Sequence, residues 1–507
     1  MGLITSIVSW VMKKRMHQIE LFIKYPHDVQ DELLKKLIQT AAFTEFGRKY
    51  HFADIQSYEQ FKKRIPVQSY EKIFPYIERL MRGEQNILWP SEIKWFSKSS
   101  GTTNARSKFI PVSPEALEEC HFKGGKDLLS IYFNNFPESK LFDGKGLAVG
   151  GSHQINEFDP TLSSYYGDVS AVIMQNLPPW AQFVRTPSLD IALMSNWEEK
   201  IEKLARETAR ENVTHLAGVP TWTILLIQRI VEIENKKNIL EVWPNLETFF
   251  HGAVAFKPYR NLFKSLIPSD NMKYWETYNA SEGFFGIQDR PESDEMLLML
   301  DYGIFYEFIP AEEAETEDPQ AIPLSQVELD KNYAMVISTN AGLWRYNIGD
   351  TIKFTSLSPH RIKISGRTKH FMNAFGEEVI IENAELAITM ACEHTGAEID
   401  NFTAAPVYLD HGKKGGHEWI IEFKIQPSSI EQFGKALDQS LRDINSDYDA
   451  KRAFDLALIA PKIHSVVEGT FYNWMKSRGK LGGQNKVPRL SNSREYVEDI
   501  LKMLAES

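Results

Sequence analysis

Short apolar or aromatic runs alternate with longer amphipathic stretches between residues 27 and 276, and this alternation constrains the fold most. The short runs have the length and composition of buried strands, and the stretches between them have helical periodicity. Strands are expected at 145–149, 213–217, 248–251 and 273–276, and helices at 27–46, 55–64, 198–211 and 221–236. Because strands that alternate with helices form layered α/β structures, we expect a large multi-layer α/β N-terminal domain.

The pattern changes after residue 300. Between 301 and 354, short strands follow one another with turns between them, which predicts a small β-barrel or meander. Further on, the elements alternate again, with helices expected at 383–394 and 428–445 and strands at 402–408, 417–425 and 455–467. This second alternation predicts a small α+β domain at the C-terminus. A chain of 507 residues also exceeds the roughly 250 to 300 at which one core stops growing.

Charge and cysteine content exclude several classes of protein. The net charge is −11, whereas a general nucleic-acid binder needs clustered Lys and Arg to neutralise phosphates. We therefore expect no nucleic-acid partner. The two cysteines, Cys120 and Cys392, are too few for a disulfide framework or a Cys-rich metal site. They fit a reducing cytoplasm.

The N-terminus needs separate treatment because it resembles a targeting segment. Ten mostly apolar residues, 3–12, precede Lys13, Lys14 and Arg15. A secretory signal has its charges first and a cleavage site afterwards, and a membrane span needs about 20 apolar residues. We expect an amphipathic first helix that packs on the large domain, with transient membrane contact as the alternative and no stable insertion.

Residues 97–111 contain a run rich in hydroxyl groups. Four hydroxyls, a glycine and a following lysine can direct backbone N–H groups, O–H groups and a positive charge onto phosphate oxygens. The spacing differs from a Walker loop, so P-loop ATPase chemistry is not expected. A flexible turn is the plain alternative. The residues of this first motif are Ser99, Ser100, Gly101, Thr102, Thr103 and Lys108.

A second motif follows the expected strand 273–276. Its tyrosine can stack on a purine, and its carboxylate, Glu282, can hold a Mg²⁺ ion that bridges phosphates. Loops that leave strands of an open α/β sheet are where ligands bind. A turn with a surface carboxylate is the alternative interpretation. The residues are Tyr278, Asn279, Ala280, Ser281 and Glu282.

A third motif, residues 344–350, reads WRYNIGD. Its last residue, Asp350, follows a glycine and is suited to accept hydrogen bonds from ribose hydroxyls. As with the second motif, a turn with a surface carboxylate is the alternative. Taken in this order, the three motifs favour a nucleotide site.

Together, SSGTT with its lysine, YNASEG and WRYNIGD resemble the three ATP motifs of the acyl-acid amido synthetases, the Gretchen Hagen auxin-responsive family within the adenylate-forming superfamily. Two more stretches resemble this family, residues 242–260 and 469–489. The resemblance implies ATP and Mg²⁺ as cofactors, with Gly252 and Ala253 among the nucleotide-binding residues. It also implies adenylation of a carboxylic acid, followed by acyl transfer to an amino acid.

The chain departs from the family pattern at two points. Ala105 stands where the first motif usually has a glycine, and Asn347 stands where the third usually has an arginine. With that guanidinium missing, Arg345 or Arg367 is the expected cationic neighbour of the nucleotide.

Residues 361–380 resemble the superfamily hinge, with Lys369 nearest the pivot. The resemblance implies a large domain at 1–366 and a mobile lid domain at 371–507, with the hinge near 367–370. Lys486, on a Gly-rich loop of the lid, is the candidate catalytic cation; a plain surface lysine is the alternative. Arg489 or another lid cation would anchor the amino acid carboxylate.

The sequence gives a weaker indication of which residues bind the acid. Val219 and Trp222 lie at the end of an expected strand and resemble a pocket wall of the superfamily, although a core role for Trp222 is equally consistent. His153 lies on another strand-end loop, where a structural role is the alternative. His417 and Glu418 lack the second histidine of a zinc motif.

Three functions remain open at this point. An acid–amino acid ligase and an acyl-CoA or other thioester ligase share the adenylation step and differ in the nucleophile. A non-catalytic nucleotide or acyl-acid binding protein is the third, and the presence of Glu282, Asp350 and Lys486 disfavours it.

Overall fold

The computed structural model describes residues 3–103, 106–149, 153–155, 164–177, 183–194, 196–314, 316, 318–367, 371–410, 414–452, 455, 457–478 and 487–506. The α-helices in these ranges are α1 Leu3–Lys24, α2 Pro26–Ala41, α3 Glu45–Lys49, α4 Tyr58–Arg64, α5 Tyr70–Met81, α6 Pro114–Ala116, α7 Lys123–Asn135, α8 Val169–Gln175, α9 Leu189–Ala192, α10 Trp197–Thr208, α11 Pro220–Ile233, α12 Arg260–Leu266, α13 Ile381–Thr395, α14 Ile430–Ile444, α15 Ser446–Arg452, α16 Thr470–Ser477 and α17 Glu495–Glu506.

The strands are β1 Trp95–Thr103, β2 Arg106–Val112, β3 Lys145–Ala148, β4 His153–Ile155, β5 Tyr165–Gly167, β6 Arg185–Thr186, β7 Val213–Gly218, β8 Thr248–His251, β9 Lys273–Ala280, β10 Gly283–Ile287, β11 Met296–Leu298, β12 Ile304–Pro310, β13 Ile322–Pro323, β14 Asn332–Thr339, β15 Tyr346–Leu357, β16 His360–Arg367, β17 Phe371–Met372, β18 Val379–Ile380, β19 Glu398–Val407, β20 Gly416–Ile425 and β21 Lys462–Val466. Most of the helices and strands expected from the sequence are present, with boundaries that differ by a few residues. The helix expected at 27–46 is divided into α2 and α3, because Thr44 caps a new helix that begins at Glu45. Of the strand expected at 455–467, β21 covers only residues 462–466.

One large sheet organises the first two thirds of the chain. Its described strands lie in the order β13-β12-β14-β15-β16-β11-β10-β9-β8-β7-β3-β6. Strands β6, β3, β7, β8 and β9 are parallel, and the rest of the sheet is antiparallel. The α/β class is confirmed. The strands expected to form a barrel or meander form a meander that continues the same sheet.

A smaller sheet in the order β2-β1-β5-β4 carries the first motif. The β1 and β2 strands pair antiparallel, and β1 also pairs in parallel with β5. A buried apolar cluster that includes Phe96 and Ile110 on this sheet continues to Trp275 and Tyr278 on the large one. The first motif is therefore packed beside the parallel strands.

The C-terminal region is the expected α+β unit. Strands β19, β20 and β21 form a sheet, and helices α13 and α14 pack against each other beside it. A second buried cluster joins this region to the large one, because Phe249 and Tyr259 share it with Phe375 and Trp419. The two regions therefore share a continuous apolar contact in this conformation.

The first helix packs on the large region through a buried ion cluster. The Arg15 guanidinium donates to Asp127 at 2.5 and 2.7 Å and to Asp301 at 3.0 Å. This position agrees with the expected packing of an N-terminal helix. No helix in the described ranges combines the length and apolar character that a bilayer span requires.

Candidate functional site

The carboxyl ends of the parallel strands bring the candidate residues to one edge of the sheet. Val219 follows β7, Gly252 and Ala253 follow β8, and the second motif follows or ends β9. The second motif was expected on a loop, but β9 extends through Ala280 and leaves only Ser281 and Glu282 for the turn. The edge is the position at which ligands bind in open α/β sheets.

Gly252 is required where the loop after β8 crosses β9. A Cβ atom at this position would lie 2.5 Å from the carbonyl oxygen of Thr277. Ala253 has a φ of 69°, in the left-handed region that is uncommon for a residue with a side chain. The loop therefore lies directly against β9, next to Tyr278.

The second and third motifs are joined by a side-chain hydrogen bond. The phenol of Tyr278 donates to Oδ2 of Asp350 at 2.5 Å, and Tyr278 is 5% exposed. Asp350 lies in β15 and pairs in register with Arg367 of β16. This arrangement places the carboxylate of Asp350 beside the aromatic ring of Tyr278.

The first motif lies on a hairpin, whereas the sequence predicted a turn at these residues. Ser99 of β1 pairs with Lys108 of β2, and the register then shifts before Thr103 pairs with Arg106. The side chains of residues 99–103 lie outside the described part of the structure. Lys108 Nζ is 3.4 Å from the Tyr346 hydroxyl, so the first and third motifs also meet.

Tyr70 lies between these motifs and was not singled out from the sequence. Its hydroxyl accepts a hydrogen bond from the Phe109 amide at 2.7 Å, and Lys108 Nζ lies 5.6 Å from its ring centroid. Burial first, and the negative charge of Glu282 to a smaller extent, raise the pKa of Tyr70. Glu282 is thus close enough to the hairpin to act on it electrostatically. A tyrosine that begins a separate helix gives no sequence signal for this role.

Arg345 does not face the nucleotide site. Its guanidinium forms an ion pair with Glu307 at 2.9 Å and donates to the carbonyl oxygens of Lys62 and Ile65. The side chains of Arg345 and Glu307 are 4% and 1% exposed. The expectation that Arg345 contacts the nucleotide is wrong, because its charge is neutralised inside the protein. Arg367 stays a prediction, since its side chain is outside the described part.

A groove of about 800 Å³ lies between the large and C-terminal regions, with Ala253, His251, Glu276 and Asn373 among the residues that line it. Burial first, then the Asp294 charge, raises the pKa of Glu276 to about 7. Burial also lowers the pKa of His251 to about 3. Both groups are therefore largely uncharged at slightly acidic pH. The one sequence signal for Glu276 was its position as an acidic residue in a strand rich in aromatic side chains.

The C-terminal region contacts the candidate pocket wall. The Tyr259 hydroxyl donates to the carbonyl oxygen of Ala374 at 2.5 Å. Lys451 Nζ lies 4.8 Å from the ring centroid of Trp222, which is 3% exposed. Trp222 is thus observed in an interdomain contact, and its role in acid binding stays a prediction.

Several predicted residues cannot be placed. Lys486 and Lys369 lie outside the described residues, and so does the side chain of His153. Arg489 stacks on Phe402 and donates to Asn401, so it is held within its own domain. His417 forms a buried pair with Glu377 at 2.9 Å, which agrees with its exclusion as a zinc ligand.

The donor set fits a nucleotide–Mg²⁺ pair better than a metal held by protein alone. No group of three or more His, Cys, Asp or Glu side chains able to hold a metal occurs among the described residues. Mg²⁺ commonly uses one or two carboxylates together with substrate phosphates. Glu282, close to the hairpin of the first motif, matches that pattern.

Comparison with known proteins agrees with this arrangement. The chain is 24% identical over 551 residues to the 4-substituted benzoates-glutamate ligase GH3.12 of Arabidopsis thaliana, covering 93% of this chain and 94% of the relative. It is 22% identical over 565 residues to the indole-3-acetic acid-amido synthetase GH3.3 of the same plant, covering 96% and 93%.

Solved structures share the fold over nearly the whole chain. The AtGH3.15 acyl acid amido synthetase in complex with 2,4-DB has a TM-score of 0.62 at 17% identity, covering 97% of this chain and 96% of that one. A 2-hydroxyisobutyryl-CoA ligase has a TM-score of 0.57 at 12% identity, covering 96% and 93%.

Family models account for most of the sequence. The GH3 family N-terminal domain matches residues 15–272, the central domain residues 297–367 and the C-terminal domain residues 382–495. On these matches, which follow the same order along the chain as the elements that form the site, the protein belongs to the GH3 family.

Proposed function

We propose that this protein uses ATP and Mg²⁺ to convert a carboxylic acid into an acyl-adenylate and then transfers the acyl group to an amino acid. The contact that carries the proposal is the hydrogen bond between Tyr278 and Asp350, which unites two motifs beside Gly252 and Ala253. The relatives named as amido synthetases and as a glutamate ligase support the same reaction class.

The residues divide between two parts of the nucleotide. Gly252, whose backbone lies directly against Thr277, and Ala253 would contact the purine ring next to Tyr278. Asp350 accepts from Tyr278, and its carboxylate is the type of group that accepts hydrogen bonds from ribose hydroxyls. The hairpin from Ser99 to Lys108 provides donors for phosphates. Asn279 and Ala280 end β9, and Ser281 connects this strand to Glu282.

Mg²⁺, held by Glu282 and by phosphate oxygens, would neutralise part of the triphosphate charge. Lys108 lies beside Tyr70 and Tyr346, which fix the position of its ammonium group near the hairpin. We propose that the ammonium group of Lys486 stabilises the negative charge that develops at the α-phosphate. A preorganised cation contributes most in a site from which water is excluded.

The chemistry follows from the poor reactivity of a carboxylate. A carboxylate oxygen attacks the α-phosphorus of ATP and pyrophosphate leaves, which gives an acyl-AMP. The amine of an amino acid then attacks the acyl carbon and AMP leaves with the former carboxylate oxygen. The two steps require different access to the carbonyl, so we propose that residues 371–507 act as a lid on a large domain of residues 1–366, hinged near 367–370.

Acid-dependent exchange of labelled pyrophosphate into ATP tests the adenylation step. We expect exchange that requires Mg²⁺ with at least one acid from a panel of aryl, indole, fatty and dicarboxylic acids. Amino acids, but not CoA, should then increase acid-dependent AMP release. If exchange occurs but the only acyl product is a CoA thioester, the protein is a thioester ligase. ATP binding without exchange across the panel would favour a binding protein.

The cysteine thiols bear on the cellular compartment in which the enzyme works. Cys120 is buried and Cys392 half-buried, and both are free. We propose that the enzyme works in a reducing compartment such as the cytoplasm, with small-molecule acids and amino acids as its partners.

A further inference from the structure

On one face of the parallel strands, three small residues and one histidine lie where a ligand would need space. On β3 these are Gly146 and Ala148, and on β7 they are His215 and Ala217, which pair with them in register. Ala148, His215 and Ala217 are half-buried although they lie in the interior strands of the sheet. We call these four residues the trough. Ala217 pairs with Phe250, two residues before Gly252, so the trough opens toward the proposed nucleotide site.

Arg185 lies at the far end of the trough. It is on β6 and pairs in register with Gly146, so both residues face the same side of the sheet. Its three guanidinium nitrogens are buried, and none has a hydrogen-bond partner among the described residues. Burial lowers the pKa of Arg185, and no carboxylate among the residues that the structure describes opposes this effect. A buried cation without a counter-ion is costly unless a ligand supplies the charge.

Two acidic residues that lie just before β7 and β8 have other partners. Glu211 forms an ion pair with Lys145 at 2.8 Å. Glu247 accepts from the Tyr132 hydroxyl at 2.6 Å and from the Lys140 amide at 3.0 Å. Neither glutamate therefore balances the charge of Arg185, and a bound anionic ligand would do so.

His215 adds a neutral acceptor beside this cation. The Thr214 hydroxyl donates its hydrogen to the Leu141 carbonyl oxygen at 2.5 Å, so it accepts from Nδ1–H of His215 at 3.2 Å. Nε2 then carries the lone pair, and burial lowers the pKa of the ring to about 4. A Cβ at Gly146 would lie 2.2 Å from this Nε2, so the ring extends over Gly146 toward β6.

We propose that Arg185 binds a second anionic group at the far end of the acyl acid, so that the preferred substrates are dicarboxylic acids. This inference rests on the proposed adenylation function. Strands in a sheet lie about 4.8 Å apart, which puts β6 roughly 14 Å from β8 and about 19 Å from β9. An acyl-adenylate whose base lies at β8 and β9 can reach Arg185 only with the end of its acyl chain.

Matched acids test the proposal. Hexanoate and adipate, and 4-methylbenzoate and terephthalate, differ in whether the distal end is a methyl or a carboxylate group. We expect pyrophosphate exchange by the wild-type enzyme to have a kcat/KM at least tenfold higher for each diacid. Arg185→Met should abolish or reverse that preference, and Arg185→Lys should retain part of it. Arg210→Met, which removes an exposed arginine from the same domain, should leave it unchanged.

A binding measurement separates failure of this inference from failure of the proposed function. The diacid alone should raise the Tm of the wild-type protein and not that of Arg185→Met, whether or not catalysis occurs. Equal kcat/KM for diacids and monoacids, or a preference that survives in a folded Arg185→Met, would overturn the inference. The inference would also be overturned if Arg185 determined a preference for the charge of the amino acid acceptor and not for the charge of the acid. Diacid binding without exchange by any acid would instead contradict only the adenylating function.

Discussion

Tyr278 and Asp350 are 72 residues apart in the chain, and the tyrosine hydroxyl donates to the aspartate carboxylate at 2.5 Å. Tyr278 lies near the end of β9, whose first residues pair in parallel with β8, and Asp350 belongs to the antiparallel meander. The bond therefore crosses the boundary between the two parts of the large sheet. It fixes a carboxylate beside an aromatic ring, and the proposed nucleoside site rests on this pair.

Asp350→Ala should weaken nucleotide binding by about 1 to 3 kcal/mol, because ribose hydroxyls lose a charged acceptor. The loss should be similar for adenosine, AMP and ATP in calorimetric titrations. Asp350→Asn, which keeps an acceptor oxygen, should retain part of the affinity. A loss confined to ATP would place Asp350 at the metal and contradict the ribose assignment.

Arg345→Met should destabilise the fold by about 3 to 5 kcal/mol, because it leaves the buried carboxylate of Glu307 without its cation. Urea unfolding measures the loss, and the double change with Glu307→Leu should recover much of it. AMP affinity of the folded variant should stay within a factor of about two. Normal stability with lost AMP affinity would mean that Arg345 contacts the nucleotide after all.

Glu276→Gln should change how stability depends on pH. The pKa of Glu276 is raised from 4.5 to about 7, so the folded state binds this proton more tightly than the unfolded chain. The resulting stabilisation is complete below about pH 4.5 and is lost as the pH rises to about 7, with a total of about 2 to 3 kcal/mol.

Calorimetry at a series of pH values checks this sign. The Tm of wild type relative to Glu276→Gln should fall as the pH rises from 4.5 to 7 and then level off. A Tm difference that is constant, or that grows with pH, would mean that Glu276 is ionised in the groove throughout.

Lys486→Ala should lower the adenylation rate by a factor of about 10² to 10³, the effect of removing one preorganised charge-stabilising group. ATP affinity should change far less, because the lysine belongs to the proposed lid. Lys476→Ala, which removes an exposed lysine from α16, is the matched control and should behave as wild type. Equal losses of rate and affinity would indicate a structural lysine.

Local patterns predicted the elements well because each short apolar run lies between helices that cover the sheet. The strand 248–251 was predicted at the bounds that the structure has. Sequence spacing also identified the three motifs. It did not reveal that Ser99 to Thr103 continue a strand, because strand pairing with β2 overrides the turn preference of Ser, Gly and Thr.

The sequence did not predict the roles of residues whose partners lie far away along the chain. Arg345 stands within the third motif, yet its partner Glu307 lies 38 residues earlier on another strand. Tyr70 reaches the site only because α5 packs beside the hairpin. Arg185 stands in no motif, and its importance rests on what surrounds its guanidinium group. Contacts of this kind are set by tertiary packing, which a single sequence does not encode locally.

Transfer of an oxygen isotope tests the central claim most directly. The enzyme would be supplied with ATP, Mg²⁺, an amino acid and an acid whose carboxylate is labelled with ¹⁸O, and the products would be analysed by mass spectrometry. The account predicts one labelled oxygen in the phosphate of AMP, together with an amide whose mass equals the acid plus the amino acid minus water. Label found in inorganic phosphate, with ADP as the nucleotide product, would contradict activation through an acyl-adenylate.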